Sequence, residues 1–269
     1  AIGRQLRYIR RNLGHIDNML AQGASLTELT RYQLKCLQVI HEVHRQQELM
    51  HREKSRSIPD RIVSISQPHV RPIVRGKAGK KVEFGAKISI SHLPGGLVSL
   101  DRLSWDAYNE GSDLTDQIER YKERCGHYPA SVHADTIYRT RANRAYCKER
   151  GIRLSGKPLG RPPKQTEENK DQLKSRKKQT HQDERDRIPV EGKFGNSKRK
   201  GTLDRIMAKL RHTSESVIHI GIVVLNLDTW LRSLLFLLIT RLRPLLQASL
   251  FQPAAPPYNP SCHAITHPA

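Results

Sequence analysis

Aromatic residues are scarce in this chain, with four Phe, two Trp and eight Tyr in 269 residues, so any core it buries is mainly aliphatic. Cysteine is equally thin. Cys36, Cys125, Cys147 and Cys262 stand far apart with no C-x-x-C pair, which argues against a disulfide framework or a zinc ribbon and favours a reduced, intracellular setting. Acidic residues are outnumbered as well: 26 Asp and Glu face 47 Lys and Arg, a formal net charge of +21. A surface of that sign repels itself until a polyanion neutralises it, which points first to nucleic acid. No stretch at the start has the apolar core of a signal peptide. The one strongly apolar run, SVIHIGIVVLNLDTWLRSLLFLLI, is interrupted by Asp228 and Arg232, so it is expected to be a buried core helix and not a membrane span.

Several nucleotide and hydrolase signatures are missing. HEVH, residues 41–44, places its second His one position early for the zinc-protease helix motif. RGKAGKK lacks the phosphate-loop spacing and reads as a basic turn. There is no G-x-S-x-G elbow and no G-x-G-x-x-G fingerprint.

What is present is an alternation of patterns. Residues 1–55 read as a basic helical segment of two helices, broken at Gly23–Ser25, the second starting near Thr27 with Ser25 or Thr27 as its cap. Extended patterns follow in RIVSIS, VEFGAKISIS and GLVSLDRLSW, the last two joined across HLPGG as a hairpin. A helix from Ser112 to Arg124, a strand PASVHAD, a helix ending at Gly151 and a strand in IRLSG complete an α/β order. Residues 162–186 are a charged insert, expected to be an exposed helix or disordered. Helices are expected over about residues 189–210 and 214–240, and the proline-dense 241–269 is expected to be a disordered tail.

Two places hold residues whose type and spacing suggest chemistry. Asp135 ends the strand SVHAD, where open α/β sheets place their ligands, and His133 shares its strand face; capping the following helix is the plainer role for Asp135. In RIPVEGKFGNSKRKG, Arg187, Glu191 and Lys198 fall at about 0°, 40° and 20° around a helix, one face. Pro189 suits a first helical turn, and Gly192 and Gly195 suggest close approach by a ligand or another backbone. A solvated ladder of ion pairs is the plainer alternative. A carboxylate between cations can also hold a divalent ion while its neighbours grip phosphate.

These segments carry a resemblance. VHADTIYRTRANRAYCKERGIRLSG followed by RIPVEGKFGNSKRKGTLDRIMAKL resembles the DDE transposases of bacterial insertion sequences, in the broad IS4/IS5-like group, and the likeness extends over roughly residues 58–232. Of that family's helix signature, Y-x2-R-x3-E-x6-K, three positions are met by Arg187, Glu191 and Lys198, while Glu184 stands at the Tyr position. By the same resemblance Asp135 matches the second catalytic Asp. The resemblance implies an RNase H-like mixed sheet flanked by helices over residues 56–240, and catalytic roles for Asp135, Glu191, Arg187 and Lys198. It implies two Mg2+ ions held in part by Asp135 and Glu191. DNA, the terminal repeats of a mobile element, would be the partner, contacted by Arg139, Arg141, Lys193, Arg199 and Lys200. A homodimer and a cytoplasmic, nucleoid-associated location are in keeping with it, and no membrane role is implied. In such relatives the first Asp lies on a first, central strand that precedes the helical segment. The copy is therefore expected to be truncated and inactive, with Asp60 and Asp101 as fallback acids. Two readings stay beside this one: a non-catalytic basic DNA-binding protein, and an RNA-binding structural protein.

Overall fold

A computed structural model describes residues 2–74, 82–157, 160–161, 163–199 and 203–250, with side chains to residue 243. The basic turn at 75–81 and Lys200 lie outside the described residues, as does the tail from 251 onward; residues 241–250, expected to be part of that tail, continue the last helix.

The first two helices, α1 (Ile2–Ala21) and α2 (Arg31–Arg52), run antiparallel, with Arg10 paired to Glu48 and Gly3 against His51. The second begins later than its sequence suggested. Ser25 caps only a short 3-10 turn, and Thr30 forms a reciprocal capping box with Gln33, its Oγ1 accepting from the Gln33 amide and its own amide donating to Gln33 Oε1.

RIVSIS, expected as a strand, forms no strand and ends in a bend at Ile65 and Ser66. Its backbone partners are side chains: Gln46, almost fully buried, accepts from the Ile62 amide at 2.9 Å and donates to the Asp60 carbonyl. Once those groups are satisfied from α2, no neighbouring strand is required.

Three antiparallel or parallel pairs make up the β structure. β1 (Arg71–Val74) pairs antiparallel with β2 (Val82–Gly85). β3 (Lys87–His92) and β4 (Val98–Ser104) form the expected hairpin across Leu93–Leu97, with an irregularity at Ser89/Ile90. β5 (Ser131–Val132) and β6 (Arg153–Leu154) pair in parallel, linked by helix α4 (Arg141–Glu149). Helix α3 (Leu114–Cys125) precedes this βαβ unit and buries Leu114 and Ile118 against Cys147 and Ile152. The fold is thus a mixture of helices and small sheets, in keeping with an α/β class. The mixed sheet that the resemblance implied is not assembled among the described residues, where each sheet has two strands.

The charged insert is not separate. Residues 170–199 form one helix, α5 (Lys170–Arg199), with Pro189 in its interior and not in a first turn. Helix α6 (Arg211–Leu250) starts with Ser214 buried and lays Ile218, Ile222 and Leu225 into the cores built on Trp105 and Val98. Asn226 then brackets Val98, donating to its carbonyl and accepting from its amide, both at 2.8 Å.

Compactness divides the chain into Ala1–Asn226 and Leu227–Ala269. In the second unit the apolar run departs from the expected core helix: Leu231 is 64% and Phe236 70% exposed. Residues 211–243 are long and apolar enough to cross a membrane by length and composition, with 11% of the most apolar window buried. The apolar face here is broad and lies opposite a side that carries Asp228, Thr229, Arg232 and Ser233.

Candidate active-site cleft

A cleft of about 1720 Å3 opens between the β3–β4 hairpin, the end of β5 and α5. All six residues of β3, Lys87 to His92, line it, as do all five from Ser131 to Asp135. Side chains alternate between the faces of a strand, so a cavity touching consecutive residues runs along a strand's edge. Ile88, packed toward Trp105, and Ser89, bonded to buried Asp113 at 2.9 Å, confirm that both faces of β3 are represented. β3 is hydrogen-bonded to β4 and β5 to β6. The cleft therefore runs beside the other edges of both pairs.

Asp135, Arg187, Glu191 and Lys198 all line this one cleft. Asp135 is exposed just beyond β5 and accepts the Thr136 amide at 2.6 Å, capping the turn Thr136–Tyr138. Thr140, not Asp135, caps α4 by accepting from the Asn143 amide. Asn143 fixes this loop from within, donating to the carbonyls of Gly111 and Tyr138, each at 2.7 Å. Burial pushes the Tyr138 hydroxyl up to about 12, so it stays neutral in the cleft wall. On α5, Arg187 pairs with Glu191 at 2.8 Å, one turn along, and the Glu191 side chain remains 60% exposed. Lys198 is exposed further along the same face. Across the cleft, His92 on β3 is held below its ordinary value by burial and by the charge of Lys193.

The cations assigned to DNA sit differently. Arg139 turns inward: its guanidinium donates to the Ala134 carbonyl at 3.1 Å and lies where a Cβ on Gly156 would be, 2.1 Å away. Only glycine at 156, with φ +110°, admits it. Arg139 is therefore a brace between the Asp135 loop and the segment after β6. Arg141 is exposed at the start of α4, and Arg199 is exposed at the end of α5 with bonds to the Gly195 carbonyl and Asn196. Lys193 lies near His92.

Neither fallback acid lines the cleft. Asp101 is buried and spent on structure, taking Arg124 at 2.6 Å, Ser91 and Gln117. Asp60 is exposed, in a left-handed conformation (φ 52°), and 4.0 Å from Arg71.

Sequence reasoning overlooked a neighbouring trio. His133, Asp183 and Asp186 bring one ligand atom each within 4.8 Å of one another. The two acids stand at i and i+3 on a stretch taken for an exposed insert; that spacing, together with His133 two residues before Asp135, was the available signal. Burial alone would raise the Asp183 carboxyl, but hydrogen bonds from Gln179 and Arg153 hold it below its ordinary value.

Comparison with curated proteins and with solved structures finds no match. Residues 132–228, which carry Asp135, Arg187, Glu191 and Lys198, match the family model described as a transposase DDE domain, and over that stretch the chain is similar to a DDE transposase.

Proposed function

We propose that the chain is a DNA-binding transposase of the DDE type from a bacterial insertion sequence of the IS4/IS5-like group, with a strand-transfer centre that is incomplete within these residues. The observation that carries this reading is the convergence of Asp135 with Arg187, Glu191 and Lys198 on one cleft inside the family-matched stretch. The net charge of +21 supplies the counterpart to a phosphate backbone, whose neutralisation would drive binding through counterion release. Arg187, Lys198 and Arg199 on α5 and Arg141 on α4 are the exposed or half-exposed cations for that contact. A cytoplasmic, nucleoid-associated location and a homodimer are consistent with a DNA partner.

DDE transposases use divalent metal, and Mg2+ takes hard oxygen donors. Asp135 and Glu191 are the residues here that would offer them. They do not fit a two-ion centre: among the described residues the one three-ligand group, which borders the same cleft, contains neither of them and includes an imidazole, while Asp135 is engaged at a turn and Glu191 with Arg187. No cleavage step is assigned to this donor set.

The edges of β3 and β5 along the cleft support an RNase H-like arrangement with its central strand's place open. A strand there would pair with both edges and bring a third acid toward Asp135. The test is a pair of measurements on the purified chain. Duplex binding, followed by fluorescence anisotropy, should weaken steeply with salt, and incubation of the element's end with Mg2+ should give no strand cleavage. Absence of DNA binding would overturn the assignment, and cleavage lost on Asp135→Ala would overturn the incompleteness.

A further inference from the structure

The trio His133, Asp183 and Asp186 shares no ligand with the Asp135 and Glu191 reading, although His133 and Asp186 line the same cleft. Nδ1 of His133 is sealed from solvent without a hydrogen-bond partner, 3.6 Å from Oδ1 of Asp183. That separation is too long for a hydrogen bond. The other ring nitrogen, Nε2, lies 3.0 Å from Ser131 Oγ. In the tautomer that donates Nε2–H to the serine, Nδ1 turns a lone pair toward that carboxylate oxygen, a pairing that a cation between them would relieve.

Asp186 completes the triangle. Gln182 donates to its Oδ1 at 2.8 Å, which leaves Oδ2 facing the imidazole ring at 4.0 Å from Nε2. A tetrahedral ion about 2.0–2.2 Å from nitrogen and oxygen donors holds them roughly 3.4 Å apart, close to the 3.6 Å between His133 Nδ1 and Asp183 Oδ1, and the three ligand atoms lie within 4.8 Å of one another. We propose that His133, Asp183 and Asp186 form a three-ligand site for one divalent transition ion of the zinc class, joining the end of β5 to α5. One imidazole with two carboxylates suits such an ion better than Mg2+, which prefers oxygen alone. Arg153, 2.8 Å from both Asp183 oxygens, and Gln179 at 3.1 Å orient that carboxylate from outside, as partners of metal ligands do. Arg153 also shares its charge, so Asp186, 42% exposed, supplies the uncompensated negative charge and the route of entry.

The metal-free full-length chain, titrated with Zn2+ by calorimetry and followed by thermal unfolding, tests this. One ion per chain should bind and raise the Tm. His133→Asn and Asp186→Asn should each weaken binding about tenfold or more, or about 1.4 kcal/mol, and remove the Tm gain. Glu191→Gln should change neither. Because Asp186 is on the surface, its variant reports even where His133→Asn disturbs folding. No stoichiometric Zn2+ binding, binding unaffected by Asp186→Asn, or binding lost on Glu191→Gln would each overturn the site. Glu191 belongs to the DNA-cleft reading alone, so failure of one proposal leaves the other standing.

Discussion

Asn143 illustrates how a single amide sets the cleft's geometry. Its Nδ2 ties two loops together by satisfying the carbonyls of Gly111 and Tyr138 in a site sealed from water. Asn143→Ala orphans both acceptors, each worth about 1–3 kcal/mol when buried and unpaired. A loss of about 2 kcal/mol or more is expected, read as a lower urea midpoint with an unchanged slope. His69 gives a pH signature. It packs edge-on against Trp105, and burial together with Lys35 and Arg211 holds its pKa below the ordinary value. The unfolded chain then takes up the proton more readily than the folded one, so stability is full above about pH 6.5 and falls as pH drops below it. His92 acts in the same direction. Between pH 7 and 5 the Tm should fall less in His69→Gln than in the parent. At this scale the sequence exposed the residues with a spacing rule, Asp135 and the Arg187–Glu191–Lys198 face. It hid those whose role depends on a distant neighbour: Arg139 depends on Gly156, and His133 on Asp183.

Helix α5 joins two stretches that the sequence reading kept apart, an insert expected to be an exposed helix or disordered and a helix from about residue 189. The face that carries Arg187, Glu191 and Lys198 was legible because a period of about 3.6 residues aligns 187, 191 and 198 whatever the helix length. Its start was not, because residues 170–186 offer little apolar periodicity to mark it; the helix is held instead by Arg153 on Asp183 and by pairs such as Gln182 with Asp186. Gly192 and Gly195 remain anomalous. A Cβ at 192 would meet nothing within 4 Å, and one at 195 only the tip of Arg199 at 4.0 Å, so no close backbone within the described chain requires glycine at either place. Each Gly→Ala change should therefore stabilise the helix by roughly 1 kcal/mol, measured by chemical denaturation. If DNA approaches this face, as proposed, the double variant should bind duplex more weakly while being more stable. Unchanged affinity would place the duplex elsewhere. α6 teaches the converse lesson, since hydrophobicity alone pointed to a core helix. Its first turns do pack, where apolar residues at 218, 222 and 225 share a face, but beyond Leu227 the broad apolar face opposite Asp228, Thr229, Arg232 and Ser233 is left exposed.

For residues 1–226 as a whole, the described β structure consists of separate two-stranded pairs, and their edges set the behaviour. Local signals made the β3–β4 hairpin and the parallel β5–β6 unit readable, because turn chemistry and a glycine beyond a helix end act over a few residues. The association of separate pairs into one sheet is a long-range property, and nothing in strand periodicity says which edges meet. Here the pairs stay apart, with β3 and the end of β5 bordering the same cleft. An edge strand presents unpaired amides at about every second position. Along Lys87–His92, amides directed to β4 should therefore exchange slowly with solvent deuterium, and the alternate ones, directed to the cleft, should exchange far faster. Uniform protection along β3 would mean that its second edge is already paired and would remove the structural support for an open central position. The alternating pattern, by contrast, makes the cleft a place where backbone hydrogen bonds are still to be made. A stability of only about 5–15 kcal/mol for a typical domain makes such an edge costly to leave open, so adding an extended strand that slows the fast amides should also raise the Tm of this unit.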